Sequence, residues 1–278
     1  MTTLSESAVS DINTISRFIS CPQIASLLTC FPVDVLVLCG NAIIPIAENV
    51  FSVLEARPDL AKTLVICGGI GHSTRLLYEA VRQSRKYGYL ARDIEGLPEA
   101  IVLRFILKEF YPILVEHIRS GTMRLIVEDK STNCGANAIE TRRVLEQNSI
   151  PMPESLIIVQ DPTMCLRTLA SFRHTYAEVC PPPNFFACPT FVPMISLDSS
   201  SPQRSEPEVH FVVAASIHPT DIWDHRRFFD LLMGEIPRLR DDEHGYGPKG
   251  KNFIAHVDIP DEVEAAWTRL RNVLDFKR

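Results

Sequence analysis

DVLVLCGN (residues 34–41), TLVICGGIGHST (63–74), MRLIVEDKSTNCGANA (123–138) and SLIIVQDPTMCLRT (155–168) share one design. Each is an apolar run that stops at a polar or glycine-rich turn and then passes into helical spacing. A run that is apolar throughout, with no alternation, reads as a strand buried on both faces. Strands of this kind separated by helices predict a parallel sheet covered on both sides, a three-layer α/β/α sandwich. In open α/β sheets ligands bind outside the C-terminal ends of the strands, and the polar turns of this chain fall at those ends.

Working outward, the pattern predicts strands at 35–39, 64–67, 125–127 and 156–159. Helices are predicted at 43–57, 73–87, 98–111, 135–147 and 162–176. Before the first strand, 5–20 has apolar residues at helical spacing, and 23–31 reads as a second short helix after Pro22. Past Cys180 the alternation is lost. PPPN (181–184) breaks the chain, 185–192 reads as a last strand, and 197–208 is a polar Ser/Pro-rich surface loop. The pattern leaves 210–216 open between strand and helix and predicts helices at 221–234 and 260–276. This divides the chain into an N-terminal helical arm (1–32), a ligand-binding core (33–195) and a mostly helical C-terminal part (196–278).

The composition excludes several classes. A net charge of −6 over 278 residues opposes general attraction to nucleic acid or anionic membranes. No apolar stretch reaches the roughly 18–20 residues of a membrane helix. The polar start, MTTLSESAVSDINTIS, lacks the basic and apolar regions of a secretory signal, so the expected location is cytoplasmic. The eight cysteines show no CxxC pair and no zinc-ligand spacing, which predicts reduced thiols and no metal site. Cys134 and Cys165 stand apart because each falls near a predicted helix start, where a thiolate is stabilised. A GxSxG elbow, an HExxH motif and the glycine-rich methyltransferase turn after the first strand are all missing.

Candidate chemistry gathers at the turns. Gly68, Gly69 and Gly71 let a backbone approach a ligand closely, or simply make a tight turn. His72, Ser73 and Thr74 follow in the same loop, and His72 is the best placed histidine for acid/base work. Glu128, Ser131, Thr132, Asn133 and Asn137 supply more polar groups than one helix cap needs. Asp161 is placed to cap the helix beginning at Pro162, with Arg167 about one and a half turns on. Glu99 opens a helix, where the dipole alone favours an acid. The polar segment 238–250 is either a charged face or a loop over the crevice.

Taken together, these strings resemble the SanA/ElyC/YdcF domain family. Its pattern is an apolar strand, a GG turn, an EA pair opening a helix, and E-x-x-S-x-N/T-x-x-N. Here these are residues 35–40, Gly68–Gly69, Glu99–Ala100, and Glu128 with Ser131, Thr132, Asn133 and Asn137. The YdcF branch is the most similar, through LCGNAIIP, ICGGIGHST, EDKSTNCGANA, VQDPTMCLRT and the tail GEIPRLRDDEHGYGPKGKNFIAHVD. The similarity spans roughly 10–275. It implies a Rossmann-like core with a smaller helical part built from both termini. It also implies an S-adenosylmethionine site made by Asn41, Gly68, Gly69, Gly71, His72, Ser73, Thr74, Glu99, Glu128, Ser131, Thr132, Asn133, Asn137, Asp161 and Arg167. His72, Glu128 and Asp161 are the candidate catalytic groups. The chain departs from these relatives in 197–208 and 210–224, and it lacks the N-terminal membrane helix of anchored members. The expectation is a small-molecule-binding protein and possible transferase. An enzyme on a nucleotide or phosphorylated metabolite, and a non-catalytic ligand sensor working through 238–250, are the alternatives.

Overall fold

The computed structural model describes residues 4–198, 208–214 and 217–274. Five parallel strands form its centre: β1 (Val33–Cys39), β2 (Ala61–Cys67), β3 (Arg124–Glu128), β4 (Ser155–Val159) and β5 (Asn184–Cys188). They lie in the order β3-β2-β1-β4-β5. The middle strands are dry, with Val35 to Cys39 and Leu64 to Cys67 wholly buried. Burying each such Val, Ile or Leu stabilises the fold by about 1.5–3 kcal/mol. The helices are α1 (Glu6–Ser20), α2 (Ile44–Ala56), α3 (Thr74–Gln83), α4 (Glu99–Phe110), α5 (Pro112–Arg119), α6 (Cys134–Gln147), α7 (Cys165–Thr175), α8 (His225–Leu239) and α9 (Asp261–Arg271). Helices α2, α4 and α5 pack together on one side of the sheet and α6 with α7 on the other, so the chain is a three-layer α/β/α sandwich.

Several predicted helix boundaries differ from the observed ones, some through distant side chains and some through local turns. Residues 23–31 form turns instead of a helix. The Arg57 Nη1 donates to the carbonyls of Leu27, Leu28 and Cys30 at 2.9–3.0 Å, and Ile24 N–H is taken by Ala187 O. The helix expected at 98–111 is followed at once by α5. Pro112 removes the donor that would continue the ladder, and Glu55 Oε1 accepts the N–H groups of Ile113 and Leu114 at 3.0 and 3.3 Å. The helix expected from Pro162 starts at Cys165, because Asp161 is engaged in a tight turn with Thr163.

Parts from both termini pack beside α7. Arg269 of α9 forms a two-pronged pair with Asp11 of α1, at 2.9 and 2.6 Å. Asn13 exchanges two hydrogen bonds with the backbone of Ile195, which pins a two-stranded antiparallel ribbon of β6 (Met194–Asp198) and β7 (Glu208–Val212). The ribbon resolves the open reading of 210–216 at its start as strand. It also corrects the expected loop at its ends, since Leu197 and Asp198 lie in β6; residues 199–207 lie outside the described residues. No described helix is long and apolar enough to cross a membrane.

All eight cysteines are free thiols. Cys39 and Cys67 sit side by side on β1 and β2 with Sγ atoms 3.6 Å apart. The neighbouring Cys67 thiol and burial push Cys39 well above the usual thiol range. Burial does the same to Cys165, outweighing its place at a helix start. These are packing residues, not activated nucleophiles.

Candidate functional site at the C-terminal edge of the sheet

The strand order reverses between β1 and β4. From β1 the chain leaves to α2 on one face, and from β4 to α7 on the other. The reversal opens a crevice at the C-terminal ends of these strands, the usual ligand position in such sheets. Asn41 and Asp161 follow the two strands at this point, and both are buried.

Asp161 has the most unusual environment. Its Oδ1 accepts the N–H and the hydroxyl of Thr163 at 2.8 and 2.7 Å, and its Oδ2 accepts the Trp223 indole N–H at 3.1 Å. Burial pushes the carboxyl up to about 6, although these bonds and the nearby Arg227 charge favour the ionised form. A carboxyl with this affinity exchanges a proton near neutral pH, as a general acid or base must. Asn41, by contrast, is consumed locally. Its amide donates to Cys39 O and its Oδ1 accepts from Ile43 N, both at 2.9 Å, which shapes the start of α2.

Glu99 organises the other half of the edge. It enters from the first turn of α4, whose Glu99 and Ala100 N–H groups donate to the Gly69 and Gly68 carbonyls. Its Oε1 accepts hydroxyls from Thr74 at 2.9 Å and Ser73 at 3.3 Å. Its Oε2 lies over Gly40 and takes no hydrogen bond among the described residues. Burial raises Glu99 above the ordinary carboxylate range, with the two hydroxyls opposing. The glycines exist because of this packing. A methyl at Gly40 would come within 2.7 Å of Glu99 Cβ, and one at Gly69 within 2.5 Å of Ser131 O. Gly68 also has φ +148, a backbone that side chains rarely adopt.

Glu128 holds its own loop. The N–H groups of Lys130 and Ser131 donate to Oε1 at 2.6 and 2.8 Å, and the Ser131 hydroxyl to Oε2 at 2.5 Å. This carboxylate sets the turn beside Gly69, with two bonds on one oxygen and one on the other, the same number that Asp161 accepts. Asn133 caps α6 through Ala136 N–H at 3.0 Å, and Thr132 is exposed while its carbonyl backs onto Gly71. Asn137, buried in the next turn, has a side-chain amide with no hydrogen bond among the described residues. His72 is exposed on the glycine loop and bonded to none of the other candidates.

Arg167 does not reach into the crevice as a free cation. It forms a two-pronged pair with Glu235 of α8, at 2.7 and 3.0 Å, and Arg238 donates to the same carboxylate at 2.9 Å. Glu235 is almost wholly buried. Helix α8 and the residue Trp223 ahead of it thus become a wall of the site, with Arg227, Glu235 and Arg238 on the helix. The alternation of strands and helices carried no sign of these residues; only GEIPRLR in the similar tail pointed at two of them. The segment 238–250 folds back on itself, and Ala255 N–H anchors it to Ala170 O of α7.

Two cavities are lined by residues other than the predicted site residues. One, of about 620 Å³, is lined by Ile44, Pro45 and Glu48 at the start of α2, by Lys86 and Tyr87, and by His218. The Tyr87 hydroxyl and Lys86 both donate to Glu48 Oε1, at 2.5 and 3.0 Å. The other lies against α8 and measures about 270 Å³. Among the described residues no cluster of His, Cys, Asp and Glu is arranged to hold a metal ion. A scan against protein-family models finds no match to the chain.

Proposed function

We propose that this chain binds S-adenosylmethionine at the C-terminal edge of its sheet and serves as a transferase toward a small-molecule acceptor. The observation that carries the reading is a buried carboxyl, Asp161, at the reversal of strand order, with a proton affinity near neutrality. The similarity of the loop strings to the SanA/ElyC/YdcF family supports it.

The residues present fit the polar groups of such a cofactor. Glu99 Oε2 has lone pairs to spare for ribose hydroxyls. The Asn137 amide and the opening N–H groups of α6 suit a carboxylate. S-adenosylmethionine, when bound, supplies an electrophilic methyl group. The chain's own part is to orient the acceptor and to take up a proton at Asp161. Glu128 and Arg167 act indirectly, by fixing the loop beside Gly69 and the position of α8.

Calorimetric titration of S-adenosylmethionine tests the reading. Saturable binding is expected, weakened about ten- to hundred-fold in Glu99→Gln, which loses a charged acceptor. Absence of heat and of thermal stabilisation at millimolar cofactor would remove it.

A further inference from the structure

The 270 Å³ cavity on α8 is lined by three arginines, Arg226, Arg227 and Arg238, together with Leu231 and the carboxylates Asp224 and Asp230. Arg227, Leu231 and Arg238 follow one helical stripe, with Gly234 between them. The glycine matters sterically: a methyl there would come within 2.8 Å of Arg238 Nη1, so its absence lets Arg238 lie back along the helix. Glu235 then holds Arg238 at 2.9 Å while also holding Arg167, which orients one guanidinium at the cavity in advance.

The remaining charges do not cancel by contact. Arg226 and Arg227 form no ion pair among the described residues. Asp224 is engaged at the helix start, where its Oδ1 accepts Arg227 N–H at 2.8 Å. Asp230 makes no ion pair among the described residues either. Guanidinium forks match the oxygens of phosphate, and two or three of them suit a dianion better than a single carboxylate.

We propose that this cavity is a binding site for the phosphate group of a small molecule. Arg226 and Arg227 supply the free forks, Arg238 the pre-positioned one. Leu231 meets an apolar part of the ligand and Asp230 a hydroxyl or amine. The proposal does not rest on the S-adenosylmethionine reading, since that cofactor carries no phosphate.

The test uses the full chain, titrated by calorimetry with inorganic phosphate, with pyrophosphate and with acetate as a carboxylate control. Saturable binding of pyrophosphate is expected, stronger than phosphate, with no competition from acetate. Arg227→Gln and Arg226→Gln should each weaken it about ten-fold or more, with unchanged circular dichroism. Arg226 is exposed, so its variant carries the test if Arg227→Gln fails to fold. Titrating S-adenosylmethionine into Arg226→Gln separates the two readings, because its affinity should not move there; Arg227, whose charge acts on Asp161, is left out of that control. The proposal is overturned if neither phosphate species binds at millimolar concentration, if both variants bind pyrophosphate as the wild type does, or if acetate displaces it.

Discussion

Asp161 holds its proton at a pH where an exposed aspartate has long lost it, and this affects stability as well as chemistry. Its carboxyl lies at about 6 in the folded chain against an ordinary 3.8. Between those values the folded state binds the extra proton, so the stability contribution of this group falls as pH rises and levels off above the folded value. The cost at neutral pH is on the order of 3 kcal/mol. Asp161→Asn has no such titration. Denaturant melts should therefore show the wild type gaining on the variant as pH drops from about 7 to about 4; parallel curves would show that Asp161 titrates normally. At the same scale, Gly40→Ala forces a methyl against Glu99 and should cost about 1–3 kcal/mol or more in a urea melt. Sequence reading placed Asp161 and the glycines after strands and Glu99 at a helix start, because strand ends and helix starts advertise themselves. It gave no sign that Arg167 is paired with Glu235 or that Glu128 is bonded to its own loop. Arg167's partner, Glu235, is 68 residues away, and Glu128's partners are backbone N–H groups that no side-chain pattern reveals.

Individual elements were legible in their cores and not at their edges. Strands β1, β2 and β4 were located by unbroken apolar runs, and α6 by its cap. The elements that escaped were set by two distant groups, Arg57 on the carbonyls of 27, 28 and 30 and Glu55 on the start of α5, and by the local Asp161 turn ahead of α7. The tail after α8 is held in a similar way. His256 Nδ1 and Nε2 contact Asp241 Oδ2 at 2.8 Å and Asp258 Oδ1 at 2.9 Å. Its bonds to Asp258 and Asp241 raise His256 above the ordinary 6.5. That contribution is complete below 6.5 and is lost as pH climbs through the raised value. Protection factors in 241–258, relative to the intrinsic exchange rate at each pH, should fall over that interval, and His256→Gln should be poorly protected at every pH. Wild-type protection that does not change with pH would show that the two aspartates do not hold the loop.

For the molecule as a whole, the parallel sheet and its two helical layers follow from the repeated strand–turn–helix design. The strand order does not: no local pattern states that β4 lies beside β1. Yet that adjacency brings Asn41 and Asp161 to one crevice and lets α8 close against it. The ribbon of β6 and β7 was likewise hidden, because its pairing depends on Asn13 and Ser16 of α1 reaching Ile195 and Pro193. The most direct test of a cofactor crevice at the β1/β4 reversal is hydrogen exchange across the chain with and without saturating S-adenosylmethionine. Protection concentrated at 40–44, 131–138 and 161–168 is the predicted result; unchanged exchange in all three segments, or protection confined to α1 and α9, would contradict it.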